Sequence, residues 1–120
     1  MKQDNIILKR SYAFGLSVLK LYMYLRKQKV ERELLIQLLR SGTSIGANVE
    51  EAVGAQSKND FVHKVSIAYK ESRETSYWLR LFTDGGILEA RLSRSFLNDI
   101  EELRKILASI LKTAKHPNIS

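Results

Sequence analysis

Apolar side chains recur at intervals of three and four along almost the whole chain, and the phase of that recurrence predicts four helices. From about Asp4 to Lys27 the inward positions are Ile7, Ser11, Phe14, Val18, Leu21 or Tyr22, and Leu25. That is one buried helical stripe. Asp4 or Asn5 suits the start of this helix as a cap, and Arg26, Lys27 and Lys29 suit its negative C-terminal end. The link Gln28-Lys29-Val30 is brief, which predicts an antiparallel hairpin. A second helix runs from about Glu31 to Ala55, its inward positions being Leu34, Leu38, Ser41, Ile45, Asn48 or Val49, and Ala52.

Phe61, Val65, Ala68, Ser72, Thr75, Leu79 and Phe82 fall at alternating intervals of four and three. This is the seam of a left-handed bundle helix. Ser57-Lys-Asn-Asp60 resembles a capping box and starts that helix at Lys58, while Asp84-Gly85-Gly86 stops it. Leu92, Phe96, Ile100, Leu103, Leu107 and Ile110 form the inner stripe of a fourth helix, fraying before His116-Pro117. Four helices, at about 4–27, 31–55, 58–84 and 88–114, joined by short links, predict one all-α domain over residues 1–120. Its architecture is an antiparallel, left-handed, up-down-up-down four-helix bundle.

The segment Ser41-Gly-Thr-Ser-Ile-Gly-Ala47 sits in the middle of the second helix. Propensity alone makes it a loop, because Gly costs roughly 1 kcal/mol in a helix interior and Ser and Thr compete for backbone hydrogen bonds. The apolar phase nevertheless passes through it unbroken. Small side chains there let a neighbouring helix approach, and the third helix is equally thin at Ala68, Ser72 and Thr75. The two are expected to pack at short range, with Asn48, Glu51, Glu71 and Glu74 near the contact and Arg73 and Arg80 as the nearest hydrogen-bond donors to the carboxylates.

The chain of 120 residues has no cysteine and a single proline, Pro117. Disulfides and thiolate metal sites are excluded. No apolar run approaches the ~18 residues of a membrane span. The apolar part of the N-terminus is too short for a secretory signal, so a cytoplasmic location is expected. Net charge is +7, distributed as +6 over residues 1–49, −3 over 50–102 and +4 over 103–120. In the bundle this charge gathers at the two ends. Lys2, Lys9, Arg10, Lys58, Lys64, Lys105, Lys112 and Lys115 converge at one, and Arg26, Lys27, Lys29, Arg32, Arg91 and Arg94 at the other.

Catalytic chemistry finds little material. A di-iron bundle site needs Glu-x-x-His pairs, and neither His63 nor His116 follows a Glu by three residues. Gly42 to Gly46 lacks the spacing of a phosphate-binding loop and has no preceding strand. Ser44 has no nearby histidine to activate it. Trp78 and Tyr77 could stack on bases, but packing is the commoner use of such residues beside a seam.

Ser41-Gly-Thr-Ser-Ile-Gly-Ala-Asn-Val-Glu-Glu-Ala52, Ser57-Lys-Asn-Asp-Phe61 and Ile67-Ala-Tyr-Lys-Glu-Ser-Arg-Glu-Thr-Ser-Tyr-Trp-Leu-Arg-Leu81 together resemble a known family. It is the S23-like four-helix-bundle family of proteins encoded in intervening sequences of bacterial 23S ribosomal RNA. The chain is also similar to the accessory variability determinant of diversity-generating retroelements, a basic homopentamer that binds nucleic acid and a reverse transcriptase. The resemblance covers about 40 residues and implies the fold and a pentameric homo-oligomer. It implies packing or interface roles, without catalysis, for Ser44, Asn48, Glu51, Glu71, Glu74, Tyr77, Trp78 and Arg80.

The expected protein is therefore a non-enzymatic, cofactor-free bundle that binds RNA or DNA through the phosphate backbone. Lys9, Arg10, Lys105, Lys112 and Lys115 form one candidate patch, and Arg26, Lys27, Lys29 and Arg32 the other. The rival expectation is a scaffold that docks an acidic protein partner such as a reverse transcriptase.

Overall fold

The computed structural model describes residues 2–115, with side chains from Ile6 to Lys115. Helices α1 (Lys2–Lys27), α2 (Arg32–Val53), α3 (Lys58–Asp84) and α4 (Ala90–Lys115) form an antiparallel bundle 50 Å long and about 20 Å across. Each packs on the next, and α4 returns beside α1, so the helices occupy the corners of a square whose diagonals do not meet. The Asp4 or Asn5 cap, the place of the Lys2 side chain and the stop at His116-Pro117 lie outside the described residues and side chains.

The predicted seams are the core. Val18, Ile45, Ala68, Leu79 and Leu107 are completely buried, with Phe14, Phe82 and Leu103 among them. Each large aliphatic side chain so placed contributes roughly 1.5–3 kcal/mol relative to exposure. Two details depart from the expected stripes. Leu35 fills the first inward position of α2, while Leu34 is 41% exposed. Helix α4 begins at Ala90 rather than near Leu88, because Leu88 is buried in the preceding turn and its N–H donates to the Phe82 carbonyl at 3.1 Å.

The α3–α4 and α1–α2 turns, which share one end of the bundle, close in the same way. Ile87 N–H donates to Phe82 O at 2.8 Å and Gly86 N–H to Thr83 O at 3.1 Å, with Gly86 at φ +79°. That pair of bonds around one left-handed residue is a Schellman cap. At the end of α1, Val30 N–H donates to Leu25 O and Lys29 N–H to Arg26 O, and the left-handed position is Lys29 at φ +64°. Ser57 caps α3 by accepting the Asp60 N–H at 3.0 Å, which is half of a capping box.

Residues 41–47 are helical throughout. The hydroxyls that ought to disrupt the helix bond to carbonyls of their own preceding turn: Thr43 to Leu39 O at 2.7 Å and Ser44 to Arg40 O at 2.6 Å. The glycines serve α1 rather than α3. A Cβ at Gly46 would sit 3.1 Å from the Ser11 carbonyl oxygen, and one at Gly42 2.9 Å from a Val18 methyl. The expected close packing of α2 on α3 is present, with Ser41 meeting Thr75, and the two glycines add a close approach to α1.

Candidate nucleic-acid interface

The antiparallel order carries the start of α1, the α2–α3 turn and the end of α4 to one end of the bundle. Arg10 Nη1 donates to Glu102 Oε2 at 2.8 Å in an exposed contact between α1 and α4. Lys9, Lys58, Lys105, Lys112 and Lys115 are all exposed at this end. Lys105 and Lys112 lie seven residues apart on the outer face of α4, two turns along one line. Among the described residues the ion pairs at this end engage Arg10 with Glu102, Lys64 with Glu51 and Arg104 with Glu101. Glu51, Glu101 and Glu102 are so paired, while Glu50 and Asp60 are exposed at the same end.

The opposite end is also mixed. Arg26, Lys27, Lys29, Arg32, Arg91 and Arg94 are exposed there, interleaved with exposed Glu31, Glu33, Asp84 and Glu89. Arg26 spends a guanidinium donor on the Val30 carbonyl at 3.2 Å, bracing the α1–α2 turn. Sequence spacing makes the two ends look equal, and in the structure each mixes exposed basic side chains with exposed carboxylates.

The motif residues gather on the α2–α3 side. Asn48 Nδ2 donates to Ser44 O at 2.9 Å, Lys64 Nζ lies 2.8 Å from Glu51 Oε1, and Trp78 Nε1 donates to Glu74 Oε2 at 3.1 Å. The hydrogen bond and charge of Glu51 hold the Lys64 ammonium above the ordinary lysine range. Trp78 leans on Phe82 and meets Tyr77 edge-on at 5.1 Å, so its ring is held in packing and its N–H is satisfied. Among the described hydrogen bonds, neither Arg73 nor Arg80 reaches Glu51, Glu71 or Glu74. For Glu71 the reason is angular: two and nine residues along α3 both land on the far side of a helix with 3.6 residues per turn.

Between α1 and α4, the most loosely packed neighbours, runs a groove of about 830 Å³ lined by Leu21, Leu25, Leu92 and Phe96 and closed at one end by Gly86 to Glu89. Among the described residues no three His, Asp or Glu side chains come together as metal ligands, and no helix is long and apolar enough to cross a membrane.

One surface escapes a reading of the sequence alone. Tyr12, Leu16, Leu19 and Met23 form an exposed stripe along α1. Their four-three-four spacing is a usable signal, hidden because the inner seam of the same helix already accounts for its amphipathicity.

A family model described as 23S rRNA-intervening sequence protein matches residues 3–109. A crystal structure from Bacteroides thetaiotaomicron VPI-5482, described as a protein with unknown function from the S23 ribosomal protein family, superposes with a TM-score of 0.90 at 42% identity. The superposition covers 92% of this chain and 99% of that one. No curated protein matches the chain. The similarity to the accessory variability determinant gains no support from these matches.

Proposed function

This chain belongs to the family of 23S rRNA-intervening sequence proteins, and on that premise we propose that it is a non-enzymatic, self-associating bundle that binds RNA or DNA through the phosphate backbone. The observation that carries this reading is the convergence of exposed Lys9, Lys58, Lys105, Lys112 and Lys115 from three separate stretches of sequence at one end of the bundle. Each lysine that meets a phosphate releases condensed counterions, which favours association without reference to sequence. Lysine is a flexible point charge rather than a planar fork, so little base discrimination is expected. Self-association multiplies the patch, turning weak single contacts into joint ones.

Fluorescence anisotropy with labelled single- and double-stranded RNA and DNA tests the reading. Association is expected at low salt with all four, weakening steeply between about 50 and 200 mM salt. Absence of association with every probe at low salt contradicts it. A protein complex that survives nuclease treatment, in a chain that binds none of the probes, replaces it with the scaffold reading.

A further inference from the structure

The long sides of the bundle do not carry charge alike. Helices α3 and α4 meet through the Thr83 and Ser93 hydroxyls, 2.5 Å apart, and the Tyr69 hydroxyl of α3 adds to Glu101 in holding the Arg104 guanidinium above its ordinary value. Those contacts identify the flanks that border this side. On α3 the flank is Tyr69, Arg73, Ser76 and Arg80, and on α4 it is Arg94, Leu97, Glu101 and Arg104, each line at helical intervals. Counting from Thr83 and Ser93 in opposite directions along the antiparallel pair sets Arg80 near the level of residue 96 and Arg73 near that of residue 103. Exposed Lys70, Lys105 and Lys112 border the same side on its outward edge.

Arg73, Arg80 and Arg94 are exposed, and none of the described ion pairs or side-chain hydrogen bonds engages them. Among the described residues two carboxylates share their side. Glu101 is bound by two guanidinium nitrogens of Arg104, and exposed Asp84 stands at the far end, one turn beyond Arg80. Outside these borders the signs mix: Asp99 and Glu102 lie beside Arg10 between α1 and α4, and Glu51, Glu71 and Glu74 accompany Lys64 between α2 and α3. No large apolar side chain of α4 is exposed among the described residues. The α3–α4 side therefore lacks the apolar centre of a protein interface and suits a hydrated polyanion.

We propose that the α3–α4 side is the seat of a nucleic-acid duplex, whose phosphates are taken by Arg73, Arg80 and Arg94 together with Lys105 and Lys112. The proposal rests on the nucleic-acid reading put forward above and adds to it a path and a form of nucleic acid. A guanidinium meets a phosphate through two parallel N–H groups, which the lysines at the bundle end cannot do. Arg94 and Lys112 stand about 27 Å apart along α4, roughly the rise of eight base pairs. Two parallel rows of cations about 8–10 Å apart meet both strands of a rigid duplex, whereas a lone strand draws much of its affinity from stacked bases. Stacking surface is scarce here. Exposed Tyr12 and Tyr24 belong to α1, Tyr77 meets Trp78 edge-on, and Tyr69 is half-buried against the core.

Fluorescence anisotropy with a labelled 16-base-pair duplex and its labelled single strand tests this on three proteins: the wild type, Arg73→Gln with Arg80→Gln and Arg94→Gln, and a charge-matched Lys20→Gln with Lys27→Gln and Arg40→Gln. The wild type is expected to bind the duplex more tightly than the strand. The arginine variant is expected to bind the duplex about tenfold or more weakly at low salt, with a slope of log affinity against log salt shallower by up to about 0.9 for each lost phosphate contact. The charge-matched variant stays near the wild type. Equal weakening of the two variants, or none in the arginine variant, overturns the path alone, and a wild type that prefers the single strand overturns the duplex. A wild type that binds neither probe overturns this proposal and the reading beneath it together. Should circular dichroism show reduced helicity in the triple variant, Arg73→Gln and Arg94→Gln replace it singly, each expected to weaken duplex binding and to make its salt slope shallower by up to about 0.9.

Discussion

The buried hydroxyls of Ser41 and Thr75 lie 3.1 Å apart and tie α2 to α3 in the middle of the bundle. Each hydroxyl has one proton and further acceptor capacity. The chain of donors therefore runs either from Thr75 through Ser41 to the Leu38 carbonyl at 3.4 Å, or from Ser41 through Thr75 to the Glu71 carbonyl at 2.8 Å. Both orders leave no described buried polar side-chain atom without a partner.

Thr75→Val keeps the shape and removes the bridge. We expect a loss of about 0.5–1.5 kcal/mol in urea unfolding, with Ser41→Ala and the double variant giving a sub-additive sum because both changes break the same bond. Fully additive losses would show that the two hydroxyls do not act together.

The glycines of this bundle separate into opposite classes. In a helix interior Gly→Ala ordinarily stabilises by up to about 1 kcal/mol. Gly15→Ala follows that rule, since its nearest obstacle is the Thr43 Cα at 3.9 Å. Gly42→Ala does not, because the new methyl meets both Val18 methyls at 2.9 and 3.0 Å and a helical valine is held in one rotamer. Overpacking there is expected to cost about 1–3 kcal/mol. Thermal melts of the two variants should move in opposite directions.

Lys29→Gly is expected to stabilise. The left-handed backbone at φ +64° costs a residue with a Cβ roughly 1–2 kcal/mol, while glycine adds about 0.5–1 kcal/mol of unfolded-state entropy. The net gain of about 0.5–1 kcal/mol should appear as a raised melting temperature; an unchanged or lower one contradicts the strain assigned to this turn.

The Lys64–Glu51 pair makes a pH prediction with a definite sign. A folded-state pKa above the ordinary 10.5 means that the stabilisation is complete below that value and fades as pH rises through the raised one. An NMR titration should find Lys64 losing its proton above the ordinary lysine value, and Glu51→Gln should lower its pKa toward that value.

Much of the fold is legible in the sequence, because core positions with a 3.5–3.6 residue period are visible one helix at a time. The inner seams of α1, α3 and the latter half of α4 are read correctly that way. What periodicity does not carry is the identity of the neighbour. Gly42 and Gly46 announce a close approach, yet only packing reveals that Val18 and Ser11 of α1 fill it. Leu34 and Leu35 are equally apolar, and only the packed bundle shows that Leu35 is the buried one. The basic end is legible as charge plus topology. Which carboxylates accompany each end is not, since Glu31, Glu33, Asp84 and Glu89 come together from separate turns.

The most direct measurement compares two charge-neutralised variants for affinity and salt slope on one duplex probe. Lys105→Gln with Lys112→Gln and Lys115→Gln removes the α4 end; Arg26→Gln with Lys27→Gln and Arg32→Gln removes the same formal charge from the other. If the α4 end is the interface, the first variant binds more weakly, and its slope of log affinity against log salt is shallower by up to about 0.9 for each phosphate that is no longer neutralised, while the second stays near wild type. An equal weakening of both, or a larger one in the second, would contradict the account.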